Sequence, residues 1–133
     1  MRLAGGGCDD GNVLRCLIVD DSASFLEAAK NLLEREGLDV VGVASTGADA
    51  VRLVEALDPD VALVDIVLGS ESGFDLSRRL ADADGHLAVI LISTHSEADL
   101  ADLIVETPAA GFLPKTELSA AAVLKLANAR RET

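Results

Sequence analysis

The sequence predicts an α/β fold: a doubly wound parallel sheet of five strands with five helices on its faces. Three observations lead there. From Arg15 onward, short β-branched or leucine-rich runs alternate five times with longer stretches of helical period. The runs are mostly continuous and apolar, as expected of strands covered on both faces. Four of the five present a polar group of the candidate site at their carboxyl ends, so one end of the sheet is chemically marked.

Residues 1 to 12 hold Gly5, Gly6, Gly7 and Gly11 with Asp9 and Asp10, show no periodicity, and are expected to form a flexible leader to a single domain over 13–133. The first strand is predicted at Cys16–Val19. The helix after it, Ala23–Glu36, carries Phe25, Leu26, Ala29, Leu32 and Leu33 on one stripe and stops at Gly37, which can take a left-handed conformation. A second strand at Val40–Ala44 leads to a helix over Gly47–Leu57, capped by Thr46 and ending before Pro59. Asp49, three residues past Thr46, suggests an acidic variant of the capping box. Val51, Val54 and Leu57 should face inward. The remaining strands are predicted at Val61–Val64, Leu87–Ile92 and Gly111–Leu113. Helices near 74–82, 97–105 and 117–131 follow them, capped by Ser72, Ser96 and Thr116. Parallel crossovers are right-handed, which leaves few topologies; the expected one is the flavodoxin-like order 2-1-3-4-5.

Composition narrows the function. A chain of 133 residues suits one core. Its longest apolar runs are far too short to span a bilayer, and the N-terminus lacks the apolar centre of a signal peptide, so a cytoplasmic location is expected. Cys8 and Cys16 support neither a disulfide framework nor a zinc site. The net charge of −12, from 23 acidic and 11 basic residues, opposes binding to nucleic acid or anionic membranes and favours proteins or cations as partners.

Ligands of open α/β sheets bind beyond the carboxyl ends of the strands. There the first strand runs into Asp20-Asp21, the third into Asp65, the fourth into Ser93-Thr94 and the fifth, through Pro114, into Lys115. The second ends in Ala44-Ser45-Thr46 and lies at the edge of the proposed order. Three carboxylates about 5 Å apart repel by roughly 3 kcal/mol per pair at an effective dielectric near 20, so a counter-charge is required. A hard divalent cation, magnesium, bound by Asp20, Asp21 and Asp65 meets that need, and Lys115 adds a positive charge. A carboxylate placed there can act as a nucleophile toward phosphorus, while Ser93 can donate a hydrogen bond to a phosphoryl oxygen.

The arrangement resembles the receiver domain of two-component response regulators, over nearly all of Arg15 to Arg131. In that family an acidic pair after the first strand, an aspartate after the third, a Ser or Thr after the fourth and a lysine after the fifth form the phosphorylation site. The matching positions are Asp20, Asp21, Asp65, Ser93 and Lys115. The resemblance implies Asp65 as phosphoacceptor, Mg2+ as cofactor, the Val67 backbone carbonyl as a further metal ligand, and Ser93 with Phe112 as a switch pair. It implies a domain that catalyses only its own phosphorylation and dephosphorylation. As partners it implies a sensor histidine kinase or phosphotransfer protein, a downstream protein or C-terminal effector domain, and phosphorylation-dependent homodimers. Gly111-Phe112-Leu113-Pro114-Lys115 is similar to receivers that precede LuxR-type DNA-binding domains. The chain departs from many receivers in having Gly69 rather than proline soon after the acceptor, Thr116 rather than proline after the lysine, and Thr94 where alanine is frequent.

Plainer readings compete at each position. Asp20 and Asp21 could merely favour the start of the first helix, yet Ser22 can cap it without them. Ser93 could be a cap, Lys115 a surface lysine and Phe112 a core residue. Asp9-Asp10 is an acidic pair that follows no strand and is read as solvated, as are Glu97, Asp99 and Asp102 on one helix face. His86 and His95 are too differently placed for a metal pair. A haloacid-type phosphatase would want an aspartate two residues past its nucleophile, where Val67 stands. A flavin binder would want a phosphate-cradling loop and a stacking Trp or Tyr, and the sequence contains neither aromatic type.

Overall fold

The computed structural model describes residues 14–68, 71–83, 87–93 and 111–132. Five strands form one parallel sheet: β1 (Arg15–Val19), β2 (Asp39–Ala44), β3 (Val61–Asp65), β4 (Ala88–Ser93) and β5 (Gly111–Pro114). Their order is β2-β1-β3-β4-β5, the expected 2-1-3-4-5. The helices are α1 (Ala23–Arg35), α2 (Gly47–Leu57), α3 (Gly73–Ala83) and α4 (Ala120–Glu132). The helix expected near 97–105 lies outside the described residues, as do the leader and the two histidines.

Local chemistry sets the helix ends. Ser22 is extended, and its hydroxyl accepts from Phe25 N–H at 3.3 Å to open α1. At the other end Gly37 takes φ +105°, a conformation that costs a side chain dearly but glycine little. Thr46 Oγ1 accepts from Asp49 N–H at 3.2 Å to open α2. The Asp49 carboxylate pairs with Arg52 one turn on, so the proposed acidic capping box is a single cap. Ser72 Oγ similarly faces Asp75 N–H at 3.4 Å at the start of α3.

The last helix corrects the sequence reading. Thr116 does not cap it: Lys115–Glu117 form a 3-10 turn, Leu118 is extended and buried, and α4 begins at Ala120. Ser119 Oγ accepts from Ala122 N–H at 3.1 Å, while Glu36 Oε1, from the end of α1, accepts from Ala120 N–H at 2.7 Å. Burying Leu118 requires the chain to turn once before it can become helical.

Alternation along the strands divides the core into two layers. Cys16, Ile18, Leu63 and Ile90 pack with Leu26 and Leu33 of α1 and Val123 of α4. Leu17, Val19, Val64, Leu91 and Phe112 pack with Val54 of α2 and with Leu76 and Leu80 of α3. Each fully buried leucine or isoleucine contributes about 1.5–3 kcal/mol, and β1, β3 and β4, buried along nearly their whole length, hold most of that burial. Burial also pushes the Cys16 thiol up to about 12, which leaves it a neutral packing group. No described helix is long and apolar enough to cross a membrane.

Candidate functional site

The carboxyl end of β1 is tied to its neighbours before any functional group is added. Asp20 N–H donates to Ala44 O of β2 at 3.0 Å, and Asp20 Oδ1 accepts from Ser22 N–H at 2.8 Å. That local turn buries Asp20 completely and leaves Asp21 exposed. On β3, Asp65 stands opposite Ile92 of β4 and is 8% exposed. The chain beyond it is fixed by Ile66 N–H donating to Ile92 O at 3.0 Å and Gly73 N–H donating to Ile66 O at 2.7 Å. Ser93 closes β4 and is buried, and Lys115 follows β5 directly.

These strand ends converge. Asp20, Asp21 and Asp65 each offer a carboxylate oxygen within 4.8 Å of the others. The Lys115 ammonium lies 2.6 Å from Asp20 Oδ2 and 3.4 Å from Asp65 Oδ2, so one cation spans two strands' carboxylates. Although Asp20 Oδ2 is this close to a cation, it has no hydrogen bond. The contact is an ion pair without hydrogen-bond geometry, and it leaves a buried lone pair to be satisfied. Burying a charge without such a partner is costly. A buried oxygen of this kind, two further carboxylates within reach and hard oxygen chemistry throughout fit a divalent cation such as magnesium.

Of the residues predicted for the site, Asp20, Asp21, Asp65 and Lys115 are brought together. Ser93 ends the strand next to Asp65. Val67 stands two residues past Asp65 in a short antiparallel hairpin that pairs Val67–Leu68 with Glu71–Ser72. Phe112 sits opposite Leu91 and is packed into the core beneath α2 and α3. Thr94 and His95 lie outside the described residues.

Residues 16–127 match the model of the response regulator receiver domain. The chain belongs to the response regulator receiver domain family. This receiver is 32% identical to the transcriptional regulatory protein DegU of Brevibacillus brevis over 115 residues, which are 86% of this chain and 48% of that one. It is also 32% identical to the response regulator UvrY of Escherichia coli O6:H1 over 104 residues, 77% of this chain and 48% of that one. The receiver thus spans about half the length of these relatives. A two-component response regulator of the LuxR family from Aurantimonas sp. SI85-9A1 superposes with a TM-score of 0.77 at 27% identity, covering 87% of this chain and 86% of that one.

Two residues of the receiver's site were not singled out from sequence. Gly73, the first residue of α3, packs so closely that a Cβ there would lie 2.0 Å from Asp65 O and 2.7 Å from Ile66 Cα. Its place after Ser72, at a helix start, was the available signal. Phe25 was read only as part of the apolar stripe of α1, yet its ring centroid lies 4.2 Å from the Lys115 ammonium. Nothing in the spacing of α1 marks that contact, because the lysine arrives from 90 residues away.

Proposed function

We propose that this chain is the phosphoacceptor of a two-component system: it takes a phosphoryl group from a histidine kinase onto Asp65 and thereby switches a protein-interaction surface. The observation that carries this reading is the convergence of three carboxylates within 4.8 Å with one ammonium in contact with two of them. An Asp65 oxygen attacks the phosphorus of a phosphohistidine, the P–N bond breaks, and its electron pair returns to the imidazole. Asp20, Asp21, Asp65 and the Val67 carbonyl would hold magnesium, which neutralises charge on the transferring oxygens. Lys115 supports the same oxygens from the side of β5, and Ser93 donates a hydrogen bond to one of them. The domain acts on its own aspartate, catalysing only its phosphorylation and dephosphorylation, rather than turning over an external substrate.

A phosphoryl group adds one to two negative charges and three acceptor oxygens at the end of β3. Movement of the Ser93 hydroxyl toward it would free space that the Phe112 ring, now buried, could use to change position, so the surface around β5 has two states whose populations follow phosphorylation. A C-terminal effector domain or a downstream protein reads that surface in the cytoplasm, directly or through pairing of two copies. The acidic receiver itself does not bind DNA. The test is incubation with magnesium and phosphoramidate followed by intact-mass measurement. A gain of one phosphoryl group that requires magnesium is expected, and no gain would reject the reading.

A further inference from the structure

The Lys115 ammonium has a third neighbour besides its two carboxylates. It lies 4.2 Å from the centroid of the Phe25 ring, well inside the range of a cation–π contact. The residue that carries the ring is held in two ways. It packs against the core layer under α1, and its own N–H is capped by Ser22, whose N–H in turn donates to Asp20 Oδ1. The other oxygen of Asp20 is the one 2.6 Å from Lys115. Asp20, Ser22, Phe25 and Lys115 therefore form a closed circuit, in which the turn that aims the carboxylate also aims the ring.

We propose that Phe25 is a positioning residue for Lys115: its ring face and Asp20 Oδ2 together seat the ammonium beside Asp65 before a phosphoryl group arrives. A lysine held by carboxylates alone would be drawn as close as possible to the buried charge of Asp20. The ring offers a second attraction that is weakly directional and makes no demand on the N–H groups, so the ammonium can keep its hydrogen bond to Asp65 Oδ2, 3.4 Å away. Its side chain is 15% exposed, and the ring replaces water on the face it covers. An aliphatic residue at 25 would fill the same volume and give no such attraction.

The consequence for phosphoryl transfer rests on the function proposed above; the seating itself does not, and the two are separable. The chain contains three lysines, Lys30, Lys115 and Lys125, and three aromatic residues, all phenylalanine. In this 133-residue chain labelled with 13C-lysine, the ε-methylene signal of Lys115, assigned by its loss in Lys115→Arg, is expected upfield of the other two through the ring current of Phe25. Phe25→Leu should return it to the others, and Phe25→Tyr, which keeps the ring face, should recover it. With phosphoramidate and saturating magnesium, Phe25→Leu is expected to label roughly threefold to thirtyfold more slowly, the range a cation–π contact supports. In a Lys115→Ala background the same substitution should have no further effect. An unshifted Lys115 signal in the wild type, or a shift that survives Phe25→Leu, overturns the seating. A Phe25→Leu penalty as large without Lys115 as with it makes the ring merely structural and overturns the role. If the wild type shows the shift but accepts no phosphoryl group, the proposed function fails while the seating stands.

Discussion

The ends of β1 and β2 use the same local device to different effect. Each strand runs into a short loop with a hydroxyl residue, Ser22 or Thr46, that caps the following helix by accepting an N–H three residues on. At β1 the residue before that loop is Asp20, fully buried and aimed at Lys115; at β2 the corresponding stretch, Ser45-Thr46, is exposed and brings no carboxylate to the acidic cluster. The difference is position in the sheet. β1 lies between two neighbours, so its end opens onto a crevice shared with β3, whereas β2 has a neighbour on one side and its end faces outward. A strand–cap–helix turn is thus neutral scaffolding, and chemistry appears where the order of strands brings a second strand's carboxylate beside it.

Substitutions at these ends should separate site from scaffold. The largest effect is expected for Asp65→Asn: labelling by phosphoramidate falls to background in intact-mass spectra while circular dichroism keeps the wild-type spectrum, because the amide is nearly isosteric but a poor nucleophile. Asp20→Ala should weaken magnesium by roughly tenfold or more, as followed by titration calorimetry, since it removes both a charge and an oxygen ligand. Thr46→Ala in the same assay should leave magnesium affinity unchanged; equal losses from the two would dissolve the contrast between β1 and β2.

Smaller effects bear on how the site is supported. Gly73→Ala forces a methyl against the Asp65 carbonyl, a backbone atom that cannot step aside, and is expected to cost about 1–3 kcal/mol in urea unfolding. Ser22→Ala and Thr46→Ala should each lose about 1 kcal/mol as cap deletions. Only Ser22→Ala should also move the Lys115 side-chain signals, because only that cap is wired to the site through Phe25. If both caps move those signals alike, the circuit around Asp20 is not specific.

Most of this was legible from sequence because the signals are local or repeat. Continuous apolar runs marked the strands, and their first polar successors marked Asp20, Asp65, Ser93 and Lys115. Glycine and proline marked the ends of α1 and α2. The errors arose where one residue served two structures. Thr116 looked like a cap until the burial of Leu118 demanded a 3-10 turn, and Asp49 looked like half of a capping box although Arg52, three residues on, offers it a cation. Phe25 and Gly73 were missed for another reason: their roles are contacts with Lys115 and with the Asp65 backbone, and no pattern within α1 or α3 encodes distance to another strand.

The central claim is that the carboxylate at the end of β3, and none of its neighbours, carries the phosphoryl group. Borohydride reduces an acyl phosphate to the alcohol, so a labelled aspartate is recovered as homoserine and can be located by peptide sequencing in a mass spectrometer. After labelling with phosphoramidate and magnesium, homoserine is expected in place of Asp65 alone. Homoserine in place of Asp20 or Asp21, or none at all in labelled protein, would contradict the assignment.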